Sequence, residues 1–321
     1  MSRPVRWGIA GPGRMAAVMA AEFAGLADND LVAVGSRSAQ RAADFAADFG
    51  LSQAYGSYEA LLASDVDAIY LATPHAQHTD LALAAIAAGK AVLVEKAFTT
   101  SVADTEAIIT AARAAGVFVM EAMWTRFLPA MVELRRMVAD GELGEVRTIQ
   151  GDLIAPRDFD PADRLFNPDL GGGAVLDLGV YVLSFVQQLL GTPDTVQATG
   201  GLLPNGVDGE AGILLGWDDG RFASQAISFR VAGPGRQVVA GTAGWVEVLP
   251  RFHRAETLVW HPRGGEPERL HFPKRGAGYG HEIEHVGQCL QAGLTESPVM
   301  PLEDSLAVQR MMAAVLRELG R

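Results

Sequence analysis

Cysteine is all but missing from these 321 residues. Cys289 stands alone, so no disulfide can close within the chain and a cysteine-rich metal site is excluded. Positive charge is scarce as well: 26 Lys and Arg face 38 Asp and Glu, a net charge of −12. A protein that tracks a phosphate backbone needs a basic stripe, so nucleic acid is not expected as a partner. The longest uninterrupted apolar run, Leu81 to Ala88, falls far short of a bilayer's thickness. Met1-Ser2-Arg3-Pro4-Val5-Arg6 leads straight into a strand pattern without an apolar leader. The expectation is a cytoplasmic protein with no membrane partner. Lysine is the rarest cation, with only Lys90, Lys96 and Lys274 among the 26. Where arginine is the habit, a retained lysine asks for a reason.

What is present is a folding composition, 49% hydrophobic and 20% charged. At ~150 residues per domain the length suggests two domains. Short apolar runs begin at Val5 (VRWGIA), Leu31 (LVAVG), Ala68 (AIYLA), Ala91 (AVLVE) and Val117 (VFVM). Alanine-rich segments with helical spacing lie between them, such as Met15 to Leu26 and Ala39 to Phe49. Ser38 and Gly50 bracket one helix, and Ser101, with Asp104 three residues on, and Gly116 bracket another. Alternation at this pitch predicts right-handed βαβ units, an α/β Rossmann domain with a doubly wound parallel sheet over residues 1–122. Residues 123–321 read differently. Helices are expected at 126–140, 174–190, 281–292 and 303–319. Strands are expected at 146–154, 211–217, 222–229, 236–241, 244–249 and 268–272. Strand runs joined by Gly/Pro/Asp turns predict an α+β domain on an open, largely antiparallel sheet.

Gly11-Pro12-Gly13-Arg14-Met15-Ala16 is G-x-G-x-x-A, directly after the first strand and opening a helix. Gly11 permits a tight turn, and Gly13 lets the backbone approach a pyrophosphate seated on the helix N-terminus. The motif is weak alone and strong in this position. An NAD-binding chain usually ends its second strand with an acid for the ribose 2′-hydroxyl. Here Ser36 stands in that place, followed by Arg37 and Arg41. A hydroxyl and two guanidinium forks suit a 2′-phosphate, so NADP is expected in preference to NAD. The alternative is that the two arginines form an ordinary solvated face.

Thr73-Pro74-His75 ends the third apolar strand, LAAIAAGK spans Leu83 to Lys90, and Glu95-Lys96 ends the fourth strand. With the glycine turn, these resemble the Gfo/Idh/MocA oxidoreductase family over essentially the whole chain. Glu121 to Phe127 (EAMWTRF) and Gly171 to Tyr181 (GGGAVLDLGVY) resemble one branch of it, the dimeric dihydrodiol dehydrogenases and related NADP-dependent sugar dehydrogenases. The resemblance implies hydride transfer between a nicotinamide and a secondary carbinol or carbonyl of a sugar, cyclic polyol or diol. It also implies a Rossmann domain joined to an open sheet used for dimerisation.

The family's E-K-P lysine maps onto Lys96, with Ala97 in place of the proline. A lysine at a strand's carboxyl end faces the ligand crevice of a parallel sheet, where its charge can stabilise an alkoxide. The alternative is a plain ion pair with Glu95. The family's D-x-G-x-H/Y maps onto Asp177 and Tyr181, four apart on one helix face. Tyr181 is then the proton donor and acceptor, useful near neutrality only beside a cation. The catalytic set is Lys96, Tyr181 and Asp177. Coenzyme contacts are expected from Gly11, Gly13, Arg14, Met15, Ser36, Arg37, Arg41, Thr73, His75, His78, Glu95 and Lys96. His78, early in a helix, more often marks a surface position. Trp124, Arg126 and Tyr279 either shape a substrate pocket or join the domains. An open sheet face with apolar residues predicts a homodimer or larger symmetric oligomer.

His281-Glu282-Ile283-Glu284-His285 matches H-E-x-x-H, the zinc-protease helix. Catalytic zinc needs three protein ligands, and no third is evident, so no metal site is expected. A non-catalytic NADP-binding regulator of the same fold is the remaining alternative. Retention of both Lys96 and Tyr181 argues against it.

Overall fold

Continuous apolar runs make the strands of the first sheet, because a parallel sheet covered on both faces has no wet side with which to alternate. In the computed structural model, which describes residues 3–321, the chain forms two compact units. One is Met1–Trp124 with Arg275–Ser305; the other is Thr125–Lys274 with Leu306–Arg321.

The first unit runs β1 (Val5–Ala10), α1 (Arg14–Glu22), β2 (Asn29–Gly35), α2 (Ala39–Phe49), β3 (Gln53–Tyr55), α3 (Tyr58–Leu62), β4 (Ala68–Leu71), α4 (His78–Ala87), β5 (Ala91–Glu95), α5 (Val102–Ala115) and β6 (Val119–Ala122). The strands pair in parallel in the order β3-β2-β1-β4-β5-β6. The order reverses at β1, which places the ligand crevice of such a sheet at the carboxyl ends of β1 and β4. The caps expected from the sequence form: Ser38 and Ser101 accept from Arg41 N and Asp104 N, and Gly50 and Gly116 close α2 and α5 with left-handed backbone. The strand β3 and helix α3 escaped the sequence reading. Three half-exposed residues at a sheet edge leave no apolar run to detect.

The second unit runs α6 (Pro129–Ala139), β7 (Val146–Ile154), α7 (Val180–Leu190), β8 (Thr195–Leu202), β9 (Asp208–Gly216), β10 (Phe222–Ser228), β11 (Gln237–Gly241), β12 (Gly244–Val248), β13 (Thr257–Pro262) and β14 (Glu268–His271). Its sheet has the order β14-β13-β12-β11-β7-β10-β9-β8 and is antiparallel except where β7 meets β10. Ile149, Leu153, Ile213, Ile227 and Val246 are buried on the inner face, against which α7 packs. The outer face stays open. A row in register runs Phe222, Thr148, Ala240, Trp245, His261, with Trp245 stacked on His261 and Leu214 nearby; Leu214, Phe222 and Trp245 are all exposed. The strands β8 and β13 were not foreseen. The sequence of β8, TVQATGGL, is polar, carries two glycines and lies at the exposed sheet edge.

The chain then makes α8 (Gly280–Gln291) and α9 (Leu302–Glu318). The expected single boundary after residue 122 is corrected here, because residues 275–305 belong with the first unit. Glu22, the last residue of α1, accepts from Ala277 N (2.7 Å) and Gly280 N (2.9 Å) and so caps the start of α8. Asn29 accepts from Trp7 Nε1 at 2.9 Å, and its amide lies so close to Gly287 that a Cβ there would overlap it. Arg113 of α5 pairs with Glu296 and Glu303. Apart from the Trp7–Asn29 bond, these contacts join residues more than 180 positions apart, so no local pattern signals them.

Pro168–Leu190, though interrupted by polar residues, is long and apolar enough to span a membrane by length and composition. The fold uses it as core instead, with 89% of its most apolar window buried.

Candidate active site

In the first unit, β1 ends in the glycine turn. Gly11 has φ +95°, a backbone conformation that favours glycine, and a Cβ added there would meet Thr73 Cγ2 at 3.0 Å and Ala72 O at 3.3 Å. Gly13 is the extended N-cap of α1, and a Cβ added there would meet no atom within 4 Å. The helix has no side-chain cap and no acid in its first turn. Its leading N–H groups and its dipole therefore favour an anion at this end. Arg41 reaches across the turn to donate to Pro12 O (3.1 Å). Ser36 is buried and accepts from Ser38 N, while Arg37 and Arg14 are exposed. Thr73, buried at the end of β4, has a hydroxyl with no partner among the described residues. A pyrophosphate-bearing dinucleotide fits this set: an open helix end, an open glycine and an unengaged hydroxyl.

The ends of β4 and β5 are tied to each other. His75 Nε2 lies 3.1 Å from Lys96 O, and Lys96 itself is half-buried. His78 is fully buried, which corrects its reading as a surface position. One ring nitrogen meets Ala97 O (3.0 Å) and Phe98 O (3.1 Å), and the other meets Thr73 O (2.9 Å). Phe98 N donates to Glu121 Oε1 at 3.0 Å. The Lys96–Ala97 peptide is cis, and the backbone that follows it is held by His78 and Glu121. Glu95 accepts from Tyr70 at 2.7 Å, and burial, with Glu95 beside it, pushes that hydroxyl well above the usual tyrosine range. Trp124 and Tyr279 stack at 4.2 Å, forming one aromatic wall.

In the second unit, Asp177 and Tyr181 lie on one helical segment, as expected. Its first turn, Val175–Gly179, is a π-turn rather than regular α-helix, and α7 continues from it. Both side chains are largely buried, and Arg164 approaches Asp177 to 4.0 Å. The Tyr181 ring lies 5.3 Å from that of His253, a neighbour no sequence signal suggested because it comes from a short turn 72 positions on. Arg126 is buried against α7, donating to Ser184 Oγ (3.0 Å) and Gln187 Oε1 (2.7 Å). It braces the helix that bears Tyr181. Arg135 lies beside it, and burial with the Arg126 charge lowers its pKa to about 10.

Residues 5–123 match the oxidoreductase family with an NAD-binding Rossmann fold, and residues 131–247 match the GFO/IDH/MocA C-terminal domain. The trans-1,2-dihydrobenzene-1,2-diol dehydrogenase of Mus musculus is 34% identical over 327 residues, 98% of this chain and 95% of that one. The chain belongs to the GFO/IDH/MocA oxidoreductase family. Among solved structures, the aldose-aldose oxidoreductase of Caulobacter crescentus, complexed with glycerol, is 28% identical with a TM-score of 0.90, covering 99% of each chain. A 3-ketoreductase from Actinomadura kijaniata, in complex with NADP and TDP-benzene, is 27% identical with a TM-score of 0.83, covering 98% of each. The first unit is thus the NAD(P)-binding Rossmann domain of a GFO/IDH/MocA oxidoreductase, and the chain's chemistry is hydride transfer.

The H-E-x-x-H match has other employment in this GFO/IDH/MocA chain. His281 accepts from Arg275 N, and burial, aided by the Arg275 charge, lowers its pKa. His285 Nε2 meets Ser297 Oγ (2.7 Å) and Cys289 Sγ (3.4 Å). Glu282 points into the first unit, fully buried, both its oxygens without a hydrogen-bond partner among the described residues. Burial, with Glu95 nearby, pushes its carboxyl well above the usual range. Among the described residues, no group of three or more His, Cys, Asp or Glu is arranged to hold a metal.

Proposed function

We propose that the chain is an NADP(H)-dependent dehydrogenase acting on a CH–OH carbon of a sugar, cyclic polyol or dihydrodiol. The observation that carries the coenzyme choice is the end of β2, where Ser36 replaces an acid and Arg37 and Arg41 follow. Arg41 already lies over the glycine turn, so a 2′-phosphate would find a guanidinium there instead of a repelling carboxylate. The substrate class is supported by the relatives and by the match of Lys96, Asp177 and Tyr181 to the family's motifs.

When bound, the nicotinamide supplies or accepts the hydride. Tyr181 exchanges the proton on the substrate oxygen. Lys96 holds negative charge at that oxygen and lowers the cost of ionising a phenol whose ordinary pKa is ~10. Asp177 orients the substrate's hydroxyl or the lysine. Gly11, Gly13, Arg14, Met15, Thr73, His75 and Glu95 form the coenzyme's cradle, with His78 as its internal brace. A homodimer through the outer face of the second sheet is part of the same reading. It is supported by the exposed Leu214, Phe222 and Trp245, and a monomer in light scattering at micromolar concentration would contradict it.

The test is a screen of trans-1,2-dihydrobenzene-1,2-diol, D-xylose, D-glucose and myo-inositol with NADP⁺ and NAD⁺ side by side. Turnover with NADP⁺ preferred is expected. Arg37→Ala should weaken NADP(H) by roughly tenfold, the loss of a charge-assisted bond, and leave NAD(H) nearly untouched. Equal loss for both coenzymes would overturn the NADP assignment. Tight coenzyme binding without turnover of any compound would overturn the enzymatic reading.

A further inference from the structure

Three glycines precede the segment that carries Asp177 and Tyr181, and the structure gives a reason for the last two. A Cβ on Gly172 would meet the carbonyls of Asn167, Leu165 and Arg164 at 2.8–2.9 Å. Gly173 has φ +134°, and a Cβ on it would overlap the carboxylate of Asp208. That carboxylate lies flush against the backbone because no side chain intervenes. Its Oδ2 accepts from Val175 N at 2.6 Å, the first amide of the π-turn. Its Oδ1 faces the guanidinium of Arg321, whose Nη1 also reaches Gly172 O at 3.4 Å. Asp177 N in turn donates to Gly173 O at 3.1 Å.

Asp208 is 1% exposed. A carboxylate buried to that degree is costly unless paired and hydrogen-bonded. Burial pushes its pKa up, and the Val175 amide and Arg321 oppose that push. Without Arg321, Asp208 either takes up a proton, which weakens its bond to Val175 N, or leaves that amide, and in both cases the charge-assisted bond at the head of the turn is lost. A π-turn is an irregular winding often found at functional sites, and its geometry depends on what anchors its ends.

We propose that Arg321 is a positioning residue: by holding Asp208 as an anion against Val175 N, it sets the turn that aims Asp177 and Tyr181. This rests on the reading of Tyr181 as the proton-transfer residue. A displacement of ~1 Å in a reacting group can cost ~10²-fold in rate, so a partial loss of the anchor should cost on the order of tenfold.

The experiment compares full-length wild type, Arg321→Met, Arg321→Lys and Tyr181→Phe. Two readouts are taken: kcat and KM for NADP⁺ with the best substrate of the screen above, and the ¹⁹F spectrum of 3-fluorotyrosine-labelled protein. Tyr181→Phe identifies the Tyr181 resonance. Arg321→Met should lower kcat about tenfold with KM for NADP⁺ nearly unchanged, and should shift the Tyr181 resonance. Arg321→Lys should restore most of both. An unmoved resonance, or a moved one with unchanged kcat, overturns the proposal, as does failure of Arg321→Lys to rescue. Should Arg321→Met not fold, Arg321→Gln removes the charge with less loss of shape and faces the same readouts. Full activity in Tyr181→Phe would instead overturn the Tyr181 reading, and the resonance alone would then decide whether Arg321 sets the turn.

Discussion

At Gly11–Gly13 the chain turns from β1 into α1 and leaves the helix end without a side-chain cap; at Gly171–Gly173 it turns into the Tyr181 segment and meets the carboxylate of Asp208. Both turns use glycine for close approach, and both open a helical segment whose first amides point outward. In the first, the neighbour that approaches is meant to come from solution, so the donors stay open and no acid stands in the first turn. In the second, the protein supplies its own anion, and the donors are spent on fixing geometry. A glycine-rich turn therefore says that something negative will approach the backbone. It does not say whether that group is a ligand or a side chain.

The sharpest way to test the contrast is to remove what each unit contributes to chemistry. Tyr181→Phe and Lys96→Met should each lower kcat by ~10²–10⁴-fold while NADP(H) affinity in fluorescence titration stays nearly intact. Under the proposed roles, with the lysine acting partly through the tyrosine, the losses should not multiply in the double variant. Near-normal turnover in Tyr181→Phe would shift the proton to Lys96 or a bound water.

A smaller effect comes from making the first turn resemble the second. Gly13→Asp places a carboxylate where α1 has none, at a position whose φ of −107° suits any residue and whose Cβ would meet nothing within 4 Å. The protein should fold normally, and coenzyme affinity should fall on the order of 10²-fold as the turn's donors are taken by the new acid. Unchanged affinity in isothermal titration would show that the turn does not seat the pyrophosphate.

Alanine at each turn gives a third measure, read as urea stability. Gly173→Ala should cost ~1–3 kcal/mol from its positive φ alone, with more from the overlap with Asp208. Gly13→Ala should change stability by less than about 1 kcal/mol, since its backbone is open to L-residues. Equal costs would erase the distinction.

The last comparison sets Asp208, held by a guanidinium, against Glu282, which faces another acid. Glu282 has its folded-state pKa raised, so above the ordinary glutamate value of ~4.3 the unfolded chain has released a proton that the folded one retains. Stability contributed by this group then falls as pH rises, by at most ~1.4 kcal/mol per unit, until the folded-state pKa is reached. Glu282→Gln removes that slope. Its stability relative to wild type should climb from pH 5 to pH 8 in thermal melts, and a flat difference would show the carboxyl already ionised.

Much of this was written in local sequence. The strand at Val5–Ala10, the turn after it, the serine and glycine caps, and the pairing of Asp177 with Tyr181 on one helical segment all follow from spacing and residue type. What escaped was set at long range or at exposed edges. The edge strands β3 and β8 have no apolar face to announce them. His78 reads as an early helix residue, and only the fold brings three carbonyls to its ring. His253 beside Tyr181, and Asp208 and Arg321 at the head of its turn, are joined by the tertiary fold rather than by spacing. Glu282 looked like half of a metal motif because the pattern of a helix face does not tell which wall it meets.

Because Glu22 and Asn29 bind the segment that contains α8, the nucleotide-binding unit is discontinuous in the chain. A ribosome has released everything through Trp124 long before it reaches Ser305. At ~5–20 residues per second the gap is roughly 10–40 s, during which the six-stranded sheet must wait with Trp7's partner Asn29 unpacked on its far side. The unit that starts first cannot finish first. A fragment ending at residue 124 would be the nascent intermediate rather than a domain, and the second unit's sheet is synthesised in full before the first is sealed.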